Sequence, residues 1–202
     1  MKKFTLALCL FLIVASTYGQ QAKGDHKKVV TDSKCSTMFI TTSTGLNNSN
    51  GLLAVGAEYE FVKQVGVDAG FGVSSWGYKM NVGFQYFFKP CHKGWTIGLG
   101  VTHNLGLSNF QTSASTIYGN NEQVTLDLHP VTNFYIATHY YANLGQTGKN
   151  KFFLMLGWSQ ALTANTFNQV YGDPINDATV KAYNFLKPGG LIAAIGFGFG
   201  IN

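Results

Sequence analysis

Residues 76 to 88 read WGYKMNVGFQYFF, with a large apolar side chain at every second position. The residues between them are small or polar, apart from Phe87. A period of two held over this length predicts a β-strand, because successive side chains of a strand point to opposite faces. A strand this long extends about 40 Å, and at a tilt of roughly 40° it rises about 30 Å, enough to cross a bilayer's hydrocarbon layer.

The apolar face of this stretch has aromatic rings at both ends, with Met80 and Val82 between them. Membrane strands carry aromatic side chains where they meet the two bilayer interfaces. Aromatic side chains on the apolar faces of other strands extend this predicted girdle. Its predicted members are Trp76, Tyr78, Tyr86, Phe88, Trp95 and Trp158.

The same alternation recurs along the chain and predicts eight strands. They span residues 35–44, 51–61, 65–73, 76–88, 95–102, 122–143, 152–158 and 190–202. The sixth is interpreted as one long strand with a break near Pro130. Short turns follow the second, fourth and sixth strands, whereas residues 107–121 and 163–187 form the two longest loops. The expected fold is an all-β, eight-stranded, antiparallel up-and-down transmembrane β-barrel over residues 35–202, with both ends on the short-turn side.

The first 19 residues contain two lysines and an apolar run that ends near small residues. This pattern is typical of a secretory signal peptide, and the run is too short for a membrane-spanning helix. Residues 20–34 are polar and predict a mobile periplasmic lead-in. The formal net charge is +5 at pH 7, carried by scattered lysines without any arginine. A surplus this small argues against a nucleic-acid partner.

Two barrels fit the alternation, because it does not by itself say which face is outside. Eight strands enclose an interior only wide enough to be filled by side chains or to hold one small ligand. The apolar face carries many aromatic rings and the other face is dominated by glycine, so only the glycine face fits inside. The alternative is a soluble, exported, lipocalin-like binding barrel with its apolar face inward.

Polar residues on the inward face form the candidate site. Its predicted members are Glu58, Asp68, Lys79, Asp127, His129 and His139. A hairpin turn at Ser74 and Ser75 would place Lys79 diagonal to Asp68, with Glu58 directly across from Asp68. Two carboxylates so close need a cation or a shared proton. The group is interpreted as a structural polar core that plugs the lumen, with a proton or ion relay as the alternative.

The even-numbered meander, with its chain ends on the short-turn side, resembles the small eight-stranded bacterial outer-membrane barrels of the outer-membrane protein A and X type. The final strand ends in GFGFGIN. Phe197 and Phe199 resemble the aromatic positions of the C-terminal signal read by the barrel-assembly machinery, although Asn202 replaces the terminal aromatic residue. The resemblance implies an outer-membrane location, membrane lipid as a partner, and binding of a surface ligand through loops 107–121 and 163–187.

An outer-membrane lipid-modifying enzyme is a third interpretation. Asp127 and His129 share one strand face, and His103 and His139 are further candidate general bases. No nucleophile accompanies them, and no metal-ligand spacing or phosphate-binding loop occurs. The sequence therefore predicts no catalytic residue, no metal and no cofactor.

Two cysteines, Cys35 and Cys91, follow the predicted signal peptide. An even count in an oxidising compartment makes a disulfide the default expectation. Both residues belong to the predicted short-turn end, but their strands are distant around the barrel. A bridge would therefore require the lead-in to fold across the barrel mouth, and two unpaired thiols are the alternative.

Overall fold

A computed structural model describes residues 36–62, 64–89, 93–144 and 149–201. The predicted signal peptide, the lead-in and both cysteines of the expected disulfide, Cys35 and Cys91, lie outside the described residues. Those expectations therefore stay predictions.

Eleven strands and one helix are present in the described ranges. In chain order they are β1 (Met38–Leu46), β2 (Leu53–Val62), β3 (Val65–Ser74), β4 (Gly77–Phe87), β5 (Gly94–Asn104), β6 (Leu107–Ser115), β7 (Asn121–Leu128), β8 (Val131–Leu144), β9 (Asn150–Ala161), β10 (Phe167–Tyr171), α1 (Asp177–Leu186) and β11 (Gly190–Ile201). Eight of the strands close a barrel in the order β1-β11-β9-β8-β5-β4-β3-β2. Every two adjacent barrel strands are antiparallel. The eight strands stand around the barrel in their order along the chain. The predicted closed eight-stranded up-and-down barrel is confirmed.

Burial alternates residue by residue along the barrel strands. In β4 every inward side chain is buried, and every outward one is exposed. The outward set includes Tyr78 and Val82, whereas Lys79 and Gln85 point inward. The period of two in the sequence therefore corresponds to side chains that point alternately into the barrel and out of it.

The prediction of one long strand over residues 122–143 is wrong. β7 belongs to a second, three-stranded sheet in the order β10-β7-β6, whereas β8 belongs to the barrel. Pro130 lies between them and cannot donate a ladder hydrogen bond, and it restricts the residue before it. The chain therefore changes sheets at Pro130, and the two predicted long loops contain β6, β10, α1 and the first residue of β7.

The second sheet and α1 cover one end of the barrel through a small apolar core. Its buried members are Trp76, Ala114, Val124, Leu126, Leu128 and Val131. Asn176 caps α1 by accepting a hydrogen bond from the Thr179 backbone N–H at 2.8 Å. No helix in the described part of the chain is long and apolar enough to cross a bilayer.

Trp76 is not a girdle residue, contrary to the prediction, because it is only 2% exposed. It lies in the two-residue turn between β3 and β4, where Ser74 pairs with Gly77. Gly77 has a φ of +94°, which favours glycine and lets the turn close there. The indole therefore leaves the strand face, packs under the second sheet, and donates its Nε1–H to the His129 carbonyl oxygen at 3.1 Å.

Candidate functional site: the barrel lumen

Two of the predicted lumen carboxylates, Glu58 and Asp68, come from neighbouring strands. Glu58 of β2 pairs directly with Asp68 of β3, as expected. Both side chains are buried. Alternation turns them inward, and the ladder register sets them side by side.

Lys79 is buried in the lumen but does not join this pair. Val73 pairs with Tyr78, so Asp68 lies opposite Gly83 and the register is shifted by two residues from the predicted one. The shift follows from the turn, which is formed by residues 75 and 76 rather than 74 and 75. Lys79 Nζ instead donates to the Asn48 backbone carbonyl oxygen at 2.8 Å.

The cation beside Glu58 is Lys151 of β9, which the sequence analysis assigned to a turn. Its Nζ forms an ion pair with Glu58 Oε2, and the side chain is fully buried. Two aromatic rings flank the ammonium group, with the Phe39 centroid at 4.0 Å and the Tyr141 centroid at 4.3 Å. Lys151 is two residues before Phe153, so both side chains point to the same, inward face of β9. Extending the alternation of β9 back by one residue would have predicted this inward position.

Neutral polar groups surround the second carboxylate. Asp68 accepts hydrogen bonds from Asn81 Nδ2 at 2.7 Å and Gln85 Nε2 at 3.2 Å, and the Tyr135 hydroxyl lies 3.4 Å away. At the other carboxylate, the Tyr141 hydroxyl donates to Glu58 Oε1 at 3.1 Å. Tyr141 therefore contacts the ion pair of Glu58 with Lys151. Because buried charges need such partners, the network stabilises both carboxylates within the barrel.

His139 is in the lumen, as predicted, but Asp127 and His129 are not. The His139 ring is buried and stacks on Tyr141, with centroids 5.8 Å apart. Asp127 is part of β7, and its Oδ1 accepts a hydrogen bond from the Asn109 N–H at 2.8 Å. His129 follows β7. Both residues were placed in the lumen by the false assumption that β7 and β8 are one strand.

The loop between β1 and β2 folds into the barrel. Asn48 and Ser49 are buried, and Asn48 Nδ2 donates to Ser43 Oγ and to the Gly51 carbonyl oxygen, both at 2.8 Å. A Cβ atom added at Gly70 would overlap the Asn50 side chain. We call residues 47–52 the inward loop. The glycines of the lumen wall make room for it, a role that their position in the alternating pattern did not predict.

Little empty space is left between the inward loop and the charged cluster. A cavity of about 10 Å³ is bounded by side chains that include Asn50, Asp68 and His139. That volume is roughly the space of one water molecule. No group of three or more His, Cys, Asp or Glu side chains in the described ranges is arranged to hold a metal ion.

The barrel exterior carries the remaining predicted girdle residues. Tyr78, Tyr86, Phe88, Trp95 and Trp158 are all exposed. Trp95 contacts Tyr140 edge to face at 5.3 Å, and Tyr86 contacts Phe88 in the same manner at 5.5 Å. Phe197 and Phe199 of β11 also point outward.

Comparison with known proteins finds likenesses among solved structures but none among families or curated sequences. No family model matches the chain, and no curated protein matches it. The crystal structure of the N-terminal β-barrel domain of Pseudomonas aeruginosa OprF aligns with a TM-score of 0.41 and 12% sequence identity, covering 81% of this chain and 95% of that one. The fold assignment given above rests on the strand pairing.

Proposed function

We propose that this chain is an integral outer-membrane β-barrel protein with a plugged lumen, whose role is structural or surface-binding through its long extracellular loops. The observation that carries the proposal is the inverted distribution of polarity. Ion-paired and amide side chains are buried inside the barrel, while large apolar side chains such as Phe84, Leu99 and Leu156 are exposed outside. Soluble proteins rarely expose continuous apolar surface on this scale, whereas hydrocarbon requires it.

Barrel closure supports the same proposal. Each of the eight barrel strands is hydrogen-bonded on both sides, so the barrel has no free strand edge. Hydrocarbon offers no hydrogen bonds to an open edge, which makes a closed barrel one of two structures able to span a bilayer. The lipocalin-like alternative needs its apolar face inward, and burial runs the opposite way.

The connections suggest the orientation. Short turns join β2 to β3, β4 to β5 and β8 to β9, and β1 begins and β11 ends at that same rim. Barrels of this class have short periplasmic turns and longer extracellular loops. The second sheet and α1 would therefore face outward from the cell.

A lumen closed to solutes fits a structural role better than a pore. The inward loop lies inside the barrel, held by the hydrogen bonds of Asn48 and Lys79. The ion pair of Lys151 with Glu58 and the rings beside it are also buried in the lumen. We expect no steady conductance from the purified protein in planar bilayers.

Binding at the cell surface is supported by exposed apolar side chains beyond the membrane. Tyr118, Tyr171 and Phe185 are 69%, 75% and 88% exposed. Tyr118 lies in the turn between β6 and β7, Tyr171 in β10 and Phe185 in α1, which has no buried residue. Large exposed apolar side chains of this kind commonly mark interaction surfaces.

Heat-modifiable gel migration of membrane fractions tests the proposal. A closed barrel stays folded in detergent at room temperature, so we expect a band that shifts on boiling and fractionates with the outer membrane. Recovery of the mature chain in the soluble periplasmic fraction, without such a shift, would contradict the proposal.

Val82→Lys tests whether the outer face contacts lipid. Val82 is 61% exposed near the middle of β4. A lysine at the bilayer midplane costs about 2 to 4 kcal/mol of folding free energy. Urea titration of folding into lipid vesicles measures the loss, and Val82→Leu, which keeps the apolar surface, should change the free energy by less than about 0.5 kcal/mol. Equal values for the two variants would mean that this face meets water.

A further inference from the structure

A groove with a volume of about 490 Å³ runs along the outer face of the barrel over β1. Thr42 and Thr44 lie at its bottom, because they are outward residues of β1 with short side chains. Large apolar side chains border them on the strands to either side. These are Leu53, Val55, Phe71, Val73, Ile195 and Phe197. We call this depression the outer groove.

The outer groove lies toward the end of the barrel that carries the second sheet. One of its members, Val73, pairs with Tyr78 beside the turn between β3 and β4. Phe71 stacks on Tyr78 with ring centroids 5.5 Å apart, and Tyr78 is one of the exposed girdle side chains. The groove therefore begins beside an aromatic residue expected at the membrane interface and extends from there toward the middle of the barrel.

A lysine stands at the second-sheet end of one groove wall. Lys187 caps the C-terminus of α1, three residues before β11 begins at Gly190. The Gly189 N–H donates to Asn47 Oδ1 at 3.4 Å, which ties this segment to the residue that follows β1. In the described part of the chain, the Lys187 ammonium group forms no ion pair. A cation is thus available where the two strands β1 and β11 leave the barrel.

We propose that the outer groove binds one acyl chain of an anionic phospholipid in the leaflet at the second-sheet end, with the lipid phosphate contacting Lys187. The inference rests on the proposed membrane location and adds a lipid site to it. A linear hydrocarbon chain in a groove contacts protein on more sides than one on a smooth wall, so it gains dispersion energy. A lysine near the headgroup level attracts the phosphate.

A second copy of the chain fits the groove less well. In a two-fold contact the same surface meets itself, so groove would face groove and both copies of Lys187 would approach at one rim. Juxtaposed like charges oppose such a contact. An anionic lipid instead matches the groove in shape and the lysine in charge.

Photo-cross-linking of the reconstituted mature chain tests the proposal. Phosphatidylglycerol with a diazirine at the middle of one acyl chain is added to phosphatidylcholine vesicles, and labelled positions are mapped by mass spectrometry. The reference position is Leu99, which is exposed on β5, the strand opposite β1. We expect labelling around Thr42 to exceed that around Leu99 about fivefold, the ratio for one lysine contact of roughly 1 kcal/mol. Phosphatidylcholine with the same diazirine should give a smaller excess.

Matched variants separate the groove from the rest of the lipid-facing surface. Thr42→Leu combined with Thr44→Leu fills the groove and should remove the excess labelling. Thr42→Val combined with Thr44→Val keeps both side chains short and β-branched and should retain it. Lys187→Gln should reduce the excess for phosphatidylglycerol to that for phosphatidylcholine, whereas Lys181→Gln, at an exposed position of α1, should not change it.

Three results would overturn the inference while leaving the proposed function intact, provided that the wild type shifts on boiling. The first is equal labelling around Thr42 and Leu99. The second is a leucine-filled groove that keeps the excess. The third is a dimer in lipid-free detergent whose chemical cross-links map to β1, which would assign the groove to a second copy. A wild type that forms no heat-modifiable barrel would contradict both the proposed function and the lipid site.

Discussion

Replacement of Lys151 by methionine is expected to lower the free energy of unfolding by about 3 to 5 kcal/mol, because loss of one partner of a buried pair leaves a charge poorly compensated. Lys151 is fully buried and pairs with the buried Glu58 carboxylate. The ammonium group also lies over the Phe39 and Tyr141 rings, so its attraction to both rings is lost as well. Urea unfolding in lipid vesicles measures the effect.

Lys149→Met is the matched control for Lys151→Met. Lys149 lies two residues away but is exposed, so its loss should change the free energy by less than about 0.5 kcal/mol. Combining Glu58→Gln with Lys151→Met removes both charges and should recover part of the loss. If Lys151→Met costs no more than Lys149→Met, the ion pair does not stabilise the barrel.

The stability of a Lys79 variant distinguishes the ion-pair network predicted from the sequence from the one in the structure. The sequence predicted that Lys79 neutralises the two carboxylates, which would make Lys79→Met as costly as Lys151→Met. In the structure Lys79 donates to the Asn48 carbonyl oxygen and holds the inward loop. We expect its replacement to cost about 1.5 to 3 kcal/mol, the range for a hydrogen bond made by a charged group. Hydrogen exchange of the inward loop should rise in that variant.

Strand positions in the barrel were predictable because alternation is a local property. Each barrel strand shows its two faces within about ten residues, and a hairpin register needs only its own turn. The pairing of Glu58 with Asp68 followed from such local information. The register of β3 with β4 could not be predicted in the same way. Trp76 continues the apolar alternation of β4 in the sequence, but in the structure it belongs to the turn.

Sheet membership was not predictable, since alternation does not say which strand lies next to which. β7 and β8 both alternate, and only their pairing partners assign one to the second sheet and the other to the barrel. That error placed Asp127 and His129 in the lumen. The inward loop was not predicted for a related reason. Its polar residues are typical of an exposed turn, and only the three-dimensional pairing shows that glycines of the barrel wall leave space for it inside.

Replacement of Trp76 by alanine is expected to destabilise the second sheet by about 3 to 5 kcal/mol, the range for removing a large buried aromatic side chain. The indole packs in the apolar core with Leu126 and Val131, and its Nε1–H bonds to the His129 carbonyl oxygen. Hydrogen exchange of β6, β7 and β10 measures this, and protection should fall roughly a hundredfold or more. Trp76→Phe keeps most of the packing and should lose only about 0.5 to 1.5 kcal/mol with the hydrogen bond.

Fluorescence distinguishes this buried indole from a girdle residue. The three tryptophans are Trp76, Trp95 and Trp158, and the last two are exposed on the barrel exterior. In variants that retain a single tryptophan, brominated lipids should quench Trp95 and Trp158 strongly and Trp76 weakly, since Trp95 and Trp158 are exposed on the barrel exterior and Trp76 is buried. Equal quenching of all three would restore Trp76 to the membrane girdle, and Trp76→Ala would then leave the protection of the second sheet intact.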